Sequence, residues 1–129
     1  TAAEGLALAR ERGADVLVAL GGGSSLDVAK QIATLAGRSR GGVDPADAAV
    51  EAARELREHG TVTVPDEGLL PIVAVPTTLA GADVSQVAGV AASPEGGLVD
   101  EAVTGDLSHP GLMPAAVVYD PALVATCAG

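Results

Sequence analysis

The chain has 129 residues, of which 48% are apolar but only 1% aromatic, with no Phe or Trp and a single tyrosine, Tyr119, so one domain with a core of Ala, Val and Leu is expected. Seventeen acids against seven bases give a formal charge of -10, a field that repels phosphate backbones and anionic lipid and argues against nucleic acid as a partner. A single Cys127 forms no internal disulfide, and with neither a signal segment nor an apolar run long enough for a bilayer, the expected setting is the cytoplasm, away from membrane.

From Thr1 to Arg12, Leu6 and Ala9 recur at helical spacing with Glu4, Arg10, Glu11 and Arg12 elsewhere, and Gly13 supplies a stop. Asp15 opens the β-branched run Val16-Leu17-Val18-Ala19-Leu20, which predicts a strand covered on both faces in a parallel sheet. Three glycines follow, and Ser24 or Ser25 is placed to cap a helix reaching about Ala36, with Gly37 near its end and residues 38–42 as a polar loop. Asp44-Pro45 begins a helix over about residues 46–59, because a proline at the first helical position lacks only a donor with no partner there. On that helix Ala49, Ala52, Ala53 and Leu56 face a core, while Glu51, Arg54, Glu55, Arg57 and Glu58 stay wet.

Thr61 to Val64 is predicted as a short edge strand, residues 65–68 as a turn, and Leu70 to Val75 as a buried strand ending at Pro76. Residues 84–92 are small and β-capable, and Ser93-Pro94-Glu95-Gly96-Gly97 is a turn signal, so a hairpin is predicted. Ala115 to Tyr119 is a further strand, and Asp120-Pro121 starts another helix. Strands separated by helices mean βαβ units, hence an α/β, Rossmann-like parallel sheet flanked by helices.

The segment Gly21-Gly22-Gly23-Ser24-Ser25-Leu26-Asp27-Val28-Ala29-Lys30 lies between a predicted strand and a helix. Glycines let a phosphate approach the backbone closely, and unpaired N–H groups at a helix start offer donors and partial positive charge. A Walker loop is excluded by spacing, and the dinucleotide fingerprint would need glycine in place of Leu26. An anion cradle and a mere tight strand-to-helix turn both remain open on spacing alone.

The segment GGGSSLDVAK resembles the GGGSxxDxAK motif of the iron-containing alcohol dehydrogenases, within the dehydroquinate synthase-like superfamily. The resemblance implies that Gly21, Gly22, Gly23 and Ser24 wrap the pyrophosphate of NAD or NADP, with Ser25 close by. Asp27 matches the motif's acid, and since an anion repels phosphate, it is expected to orient the loop or a ribose hydroxyl. Lys30, one turn on, is expected to pair with Asp27 at i, i+3 rather than to touch phosphate.

A second strand-end loop, Pro76-Thr77-Thr78-Leu79-Ala80-Gly81-Ala82-Asp83, is similar to the family's PTT element and closest to the form found in maleylacetate reductases. By resemblance Thr77 and Thr78 contact the nucleotide. Asp83 is a candidate substrate contact, with a solvated or capping acid as the alternative. His109-Pro110-Gly111-Leu112-Met113-Pro114 leading to Val117-Val118-Tyr119-Asp120-Pro121 resembles the element that closes the family's nucleotide domain. Between Gly96 and Gly105 the sequence departs from the family, lacking a basic residue that often approaches the cofactor.

The resemblance implies an NAD(P)-dependent oxidoreductase that transfers hydride between the nicotinamide and a small alcohol or its carbonyl, and that associates as a homo-oligomer. It also implies a divalent metal, Fe or Zn, held by a following helical domain. No metal ligand is assigned within residues 1–129: His59 and His109 match no ligand position, and surface or capping roles are expected of them. Nor is a catalytic residue assigned. The chain, starting at Thr1 and stopping just after a helix start, is expected to be the partial nucleotide-binding domain of a two-domain enzyme, and inactive by itself. The alternatives are a dehydroquinate synthase-like or polyol-phosphate dehydrogenase relative, or a non-catalytic nucleotide-binding module.

Overall fold

In the computed structural model, which describes residues 1–77, 85–92 and 103–123, the elements are α1 (Ala2–Glu11), β1 (Leu17–Gly21), α2 (Gly23–Arg38), α3 (Pro45–His59), β2 (Ile72–Pro76), β3 (Val87–Ala92), β4 (Val103–Ser108) and β5 (Ala116–Val117). The predicted turn at Ser93–Gly97 lies outside the described residues, as do Thr78, Asp83 and Cys127.

Helix starts follow the caps the sequence supplies. At α1 the Thr1 hydroxyl accepts from the Glu4 N–H at 3.2 Å while the Glu4 carboxylate accepts from the Thr1 nitrogen, a reciprocal cap. At α3 the Asp44 carboxylate accepts from the Ala46 N–H at 2.8 Å, ahead of Pro45. Asp120 repeats the device, accepting from the Ala122 N–H at 2.9 Å where residues 121–123 turn helical.

Helix α2 departs from expectation at its start. Its N-cap is Gly22, so Ser24 and Ser25 fall inside the first turn instead of capping it. At the other end Gly37 lies near the last residue, Arg38, as expected. The glycine serves packing: a Cβ there would sit 2.8 Å from the Pro65 ring and 3.0 Å from the Glu67 carbonyl oxygen, so the following loop lies directly on the helix.

Strands β1, β2 and β5 form a parallel sheet in the order β1-β2-β5, with Leu17 opposite Ile72, Gly21 opposite Pro76, and Val73 opposite Ala116. Strands β3 and β4 form a separate antiparallel hairpin, Val87 opposite Ser108, as predicted. Ala19, Ile72 and Ala74 are buried on one face of the parallel sheet, whereas Val18 and Leu20 are 64% and 60% exposed. Alternate strand residues point to opposite faces, so β1 is covered on one face and open on the other among the described residues, correcting the expectation of two covered faces.

The predicted edge strand at Thr61–Val64 does not form. Both backbone groups of Thr63 are taken by helix side chains: its N–H donates to the Glu55 carboxylate at 3.0 Å, and its carbonyl accepts from the Arg38 guanidinium at 2.8 Å. Only Thr61 keeps an isolated bridge.

The core gathers Leu6 of α1, Leu26 and Leu35 of α2, Leu56 of α3, Leu107 of β4 and Leu112, all at 2% exposure or less. At about 2 kcal/mol for each fully buried leucine, these six outweigh the many small alanines between them. Ala33, Ala52 and Ala53, at 0% exposure, act as spacers that let the helices approach closely. No helix among the described residues is long and apolar enough to cross a membrane.

Candidate functional site

Gly21 ends β1 with φ 141°, a conformation L side chains rarely adopt, and a Cβ there would meet the Ser25 hydroxyl at 2.4 Å. The chain turns sharply enough at this point for α2 to begin two residues after the last ladder residue of β1. Gly22 follows in extended backbone and, lacking a side chain, offers no oxygen to the helix start. The hydrogen bonding of α2 begins when Ser25 and Leu26 donate to the Gly22 carbonyl at 3.1 and 3.4 Å. The N–H groups of Gly22, Gly23 and Ser24 therefore have no intrahelical acceptor.

These donors lie at the carboxyl ends of the parallel strands, where ligands of open α/β sheets gather. The helix behind them has 16 residues and no acid in its first turn, so the positive end of its dipole is not neutralised from within. The second loop is held beside the first: the Thr77 N–H donates to the Gly21 carbonyl at 2.9 Å, one residue past the β1–β2 ladder. The structure thus brings together Gly21, Gly22, Gly23, Ser24, Ser25 and Thr77.

A cavity of about 420 Å³ runs from this point along β1, floored by Leu17, Val18, Ala19 and Leu20 and walled by Val28, Ala29 and Ile32, with Ser24 and Ser25 at its polar end. Its size is that of a small-molecule site, apolar along its length with hydroxyls at one end. The sequence reading passed over Val28 and Ile32. Their spacing from Ser24, four and eight residues on, places them on the same face of α2 and was the signal available.

The structure revises the expectation for Asp27. Its carboxylate lies toward β3, with Oδ2 3.8 Å from where a Cβ on Gly89 would stand. Burial pushes this carboxyl above its usual range, against the pull of the Lys30 ammonium and the Gly89 backbone. Lys30 is fully buried and donates to the Val87 carbonyl at 3.0 Å; it influences the Asp27 carboxyl electrostatically but is not in ion-pair contact with it, unlike the pair expected from their spacing.

The histidines take the structural roles expected. His109 precedes a single 3-10 turn, its Nδ1 accepting from the Gly111 N–H at 2.9 Å and its Nε2 lying 2.7 Å from the Asp66 carboxylate. His59 is exposed at the end of α3. Among the described residues no three His, Cys, Asp or Glu side chains group as a metal site, so these residues do not fit the metal the resemblance implies. A dinucleotide's diphosphate fits better, because three N–H donors and two hydroxyl side chains converge on one place with no acid among them.

Residues 1–121 match the family model described as iron-containing alcohol dehydrogenase. No curated protein matches. Among solved structures, an archaeal halo-thermophilic alcohol dehydrogenase from a Red Sea brine pool is 31% identical with a TM-score of 0.68, over 95% of this chain and 28% of its own. The sulfoacetaldehyde reductase of Bifidobacterium kashiwanohense, solved with NAD+, is 26% identical with a TM-score of 0.68, over 95% of this chain and 28% of its own. The maleylacetate reductase of Rhizobium sp. strain MTP-10005 is 25% identical with a TM-score of 0.58, over 95% of this chain and 24% of its own. The chain thus spans about a quarter of the length of the solved structures it matches.

Proposed function

This chain belongs to the iron-containing alcohol dehydrogenase family, and from that premise we propose that it is the nucleotide-binding part of an NAD(P)-dependent oxidoreductase that transfers hydride between the nicotinamide and a small alcohol or its carbonyl. The observation that carries the reading is the set of backbone donors at Gly22, Gly23 and Ser24, opened to the carboxyl ends of β1 and β2 with no acid in the first turn behind them.

Gly22, Gly23 and Ser24 would hold the diphosphate by their N–H groups, Ser24 and Ser25 by their hydroxyls, and Thr77 from the adjoining strand end. Gly21 makes the turn that lets them converge. Thr78 and Asp83, which lie outside the described residues, belong to the same proposal as contacts of the nucleotide and the substrate. The apolar cavity along β1 offers a flat group of the nucleotide an apolar surface. When bound, the cofactor supplies or receives the hydride. The chain contributes position, holding the reactants so that an encounter becomes an intramolecular step.

The neighbours named for alcohol and for sulfoacetaldehyde support the substrate class. Association of copies of the chain and residence in the cytoplasm belong to the same proposal. Titration calorimetry with NADH and NADPH tests the cradle, with Gly22→Val as the comparison. Gly22 has φ -86° and ψ -165°, extended backbone that any L residue adopts, so valine fills the cradle without forcing the turn. Binding by the parent chain and at least tenfold weaker binding by Gly22→Val is expected. Equal binding by both removes the cradle.

A further inference from the structure

We propose that Lys30 is a positioning residue that fixes the β3–β4 hairpin to the helix whose N-terminus forms the cradle, an inference that rests on the dinucleotide reading above. Lys30 is the sole lysine of the chain and has 0% exposure. Ammonium groups avoid such positions unless they are hydrogen-bonded and paired. Its Nζ donates at 3.0 Å to the carbonyl of Val87, the first residue of β3. Next to it, Gln31 donates at 3.3 Å to the carbonyl of Gly89, and the Asp27 carboxylate lies against the same residue.

Positions 27, 30 and 31 share one face of α2 by their i, i+3, i+4 spacing. That face acts as a partner for β3, which pairs with β4 and also accepts these two hydrogen bonds from a helix. The consequence reaches the site through the backbone. The chain leaves the parallel sheet at Thr77, whose N–H is held by Gly21, and enters the hairpin at Val87, whose carbonyl is held by Lys30. Both ends of the second strand-end loop are thus fastened to the one strand-turn-helix unit that makes the cradle. A methionine of similar length would fill the same space without the cost of desolvating a charge, so packing alone does not account for a lysine. Its ammonium adds a fixed distance between hairpin and cradle helix.

The test is Lys30→Met, which keeps the apolar stem and removes the donor. It reads NADH affinity by calorimetry and amide hydrogen exchange at Val87–Gly89 compared with β1 and α2. About a tenfold rise in Kd, with faster exchange confined to the hairpin, is expected from the loss of the ammonium that holds the Val87 carbonyl. Unchanged affinity with an unchanged hairpin overturns the proposal. So does lost affinity with an unchanged hairpin, which would make Lys30 a direct ligand of the nucleotide. Should Lys30→Met fail to fold, Gln31→Ala carries the test: weaker binding with faster exchange at Gly89 supports the clasp, and no change in either overturns it. If the parent chain itself does not bind NADH, the dinucleotide reading fails, while the exchange comparison still decides whether Lys30 fixes the hairpin.

Discussion

Among the glycines of the cradle, Gly21 and Gly22 differ in what they contribute. Gly22 has a backbone open to any residue, whereas Gly21 holds φ 141° with the Ser25 hydroxyl 2.4 Å from where a Cβ would stand. Gly21→Ala is therefore a stability variant before it is a binding variant. It is expected to cost about 1–3 kcal/mol, the usual scale for backbone held in a sparsely populated region, measured by urea denaturation. Gly22→Val, by contrast, is expected to retain nearly all of the parent stability while losing the nucleotide. A pair of variants that both unfold, or both bind, would show that the two glycines do not divide the work in this way. The letters GGG announced a turn and a cradle together, but only the backbone angles separate the residue that makes the turn from the one that leaves room for a ligand.

Between elements, the strongest polar tie outside the cradle joins α2, α3 and the segment after α3. The Arg38 guanidinium is hydrogen-bonded to the Glu55 carboxylate, the two side chains only 13% and 17% exposed, and each also binds the backbone of Thr63. The Arg38 hydrogen bond holds the Glu55 carboxyl down at about 2, with burial opposing it and the Thr63 N–H assisting. A carboxyl whose folded value lies below its unfolded one stabilises the fold above the unfolded value, and that contribution disappears as pH falls from about 4.5 toward 2. Discounted for the solvent that still reaches the pair, the contribution is about 1–2 kcal/mol. Glu55→Gln is expected to lose that amount at pH 7 and to flatten the stability profile across this acid window, as read by denaturation at a series of pH values. An unchanged profile would mean that the pair is screened in solution. This tie also explains why an edge strand was wrongly read at Thr61–Val64: alternation in four residues carries no information about two charged side chains on distant helices. Helices with a local cap, such as α1 at Thr1 and α3 at Asp44, were legible because cap and helix are neighbours in sequence. The parallel strands were legible as runs of Val, Ile and Ala, and the carboxyl-end loops as glycine and threonine clusters. What covers each face of β1, and where Asp27 and Lys30 turn, depends on residues far along the chain and was not.

At the scale of the whole molecule, charge sets the behaviour that no single pair decides. Seventeen carboxylates and seven basic side chains leave -10 on a folded surface of 6689 Å². The exposed ion pairs, Arg40 with Glu67 and Arg54 with Glu51 and Glu58, stand in solvent and contribute little to stability. Added salt weakens those contacts, but it weakens repulsion among the unpaired acids more, since that repulsion acts over distances comparable to the screening length of about 10 Å at 0.1 M salt. Folding concentrates the acids, so screening favours the compact state. The melting temperature is expected to rise by roughly 3–6 °C between 0.05 and 0.5 M NaCl, corresponding to about 1 kcal/mol in a domain of this size. Salt also strengthens burial of apolar surface, and Val18 and Leu20 stand exposed on β1, so the two causes need separating. A Leu20→Thr variant removes part of that surface and leaves the charge untouched; its melting temperature should rise with NaCl as much as that of the parent chain. Repeating the series near pH 4, where many carboxylates are protonated, should shrink the rise in both proteins. A melting temperature that falls with salt at pH 7 would mean that the local ion pairs outweigh the net field, and that the acid excess does not govern the stability of this fold.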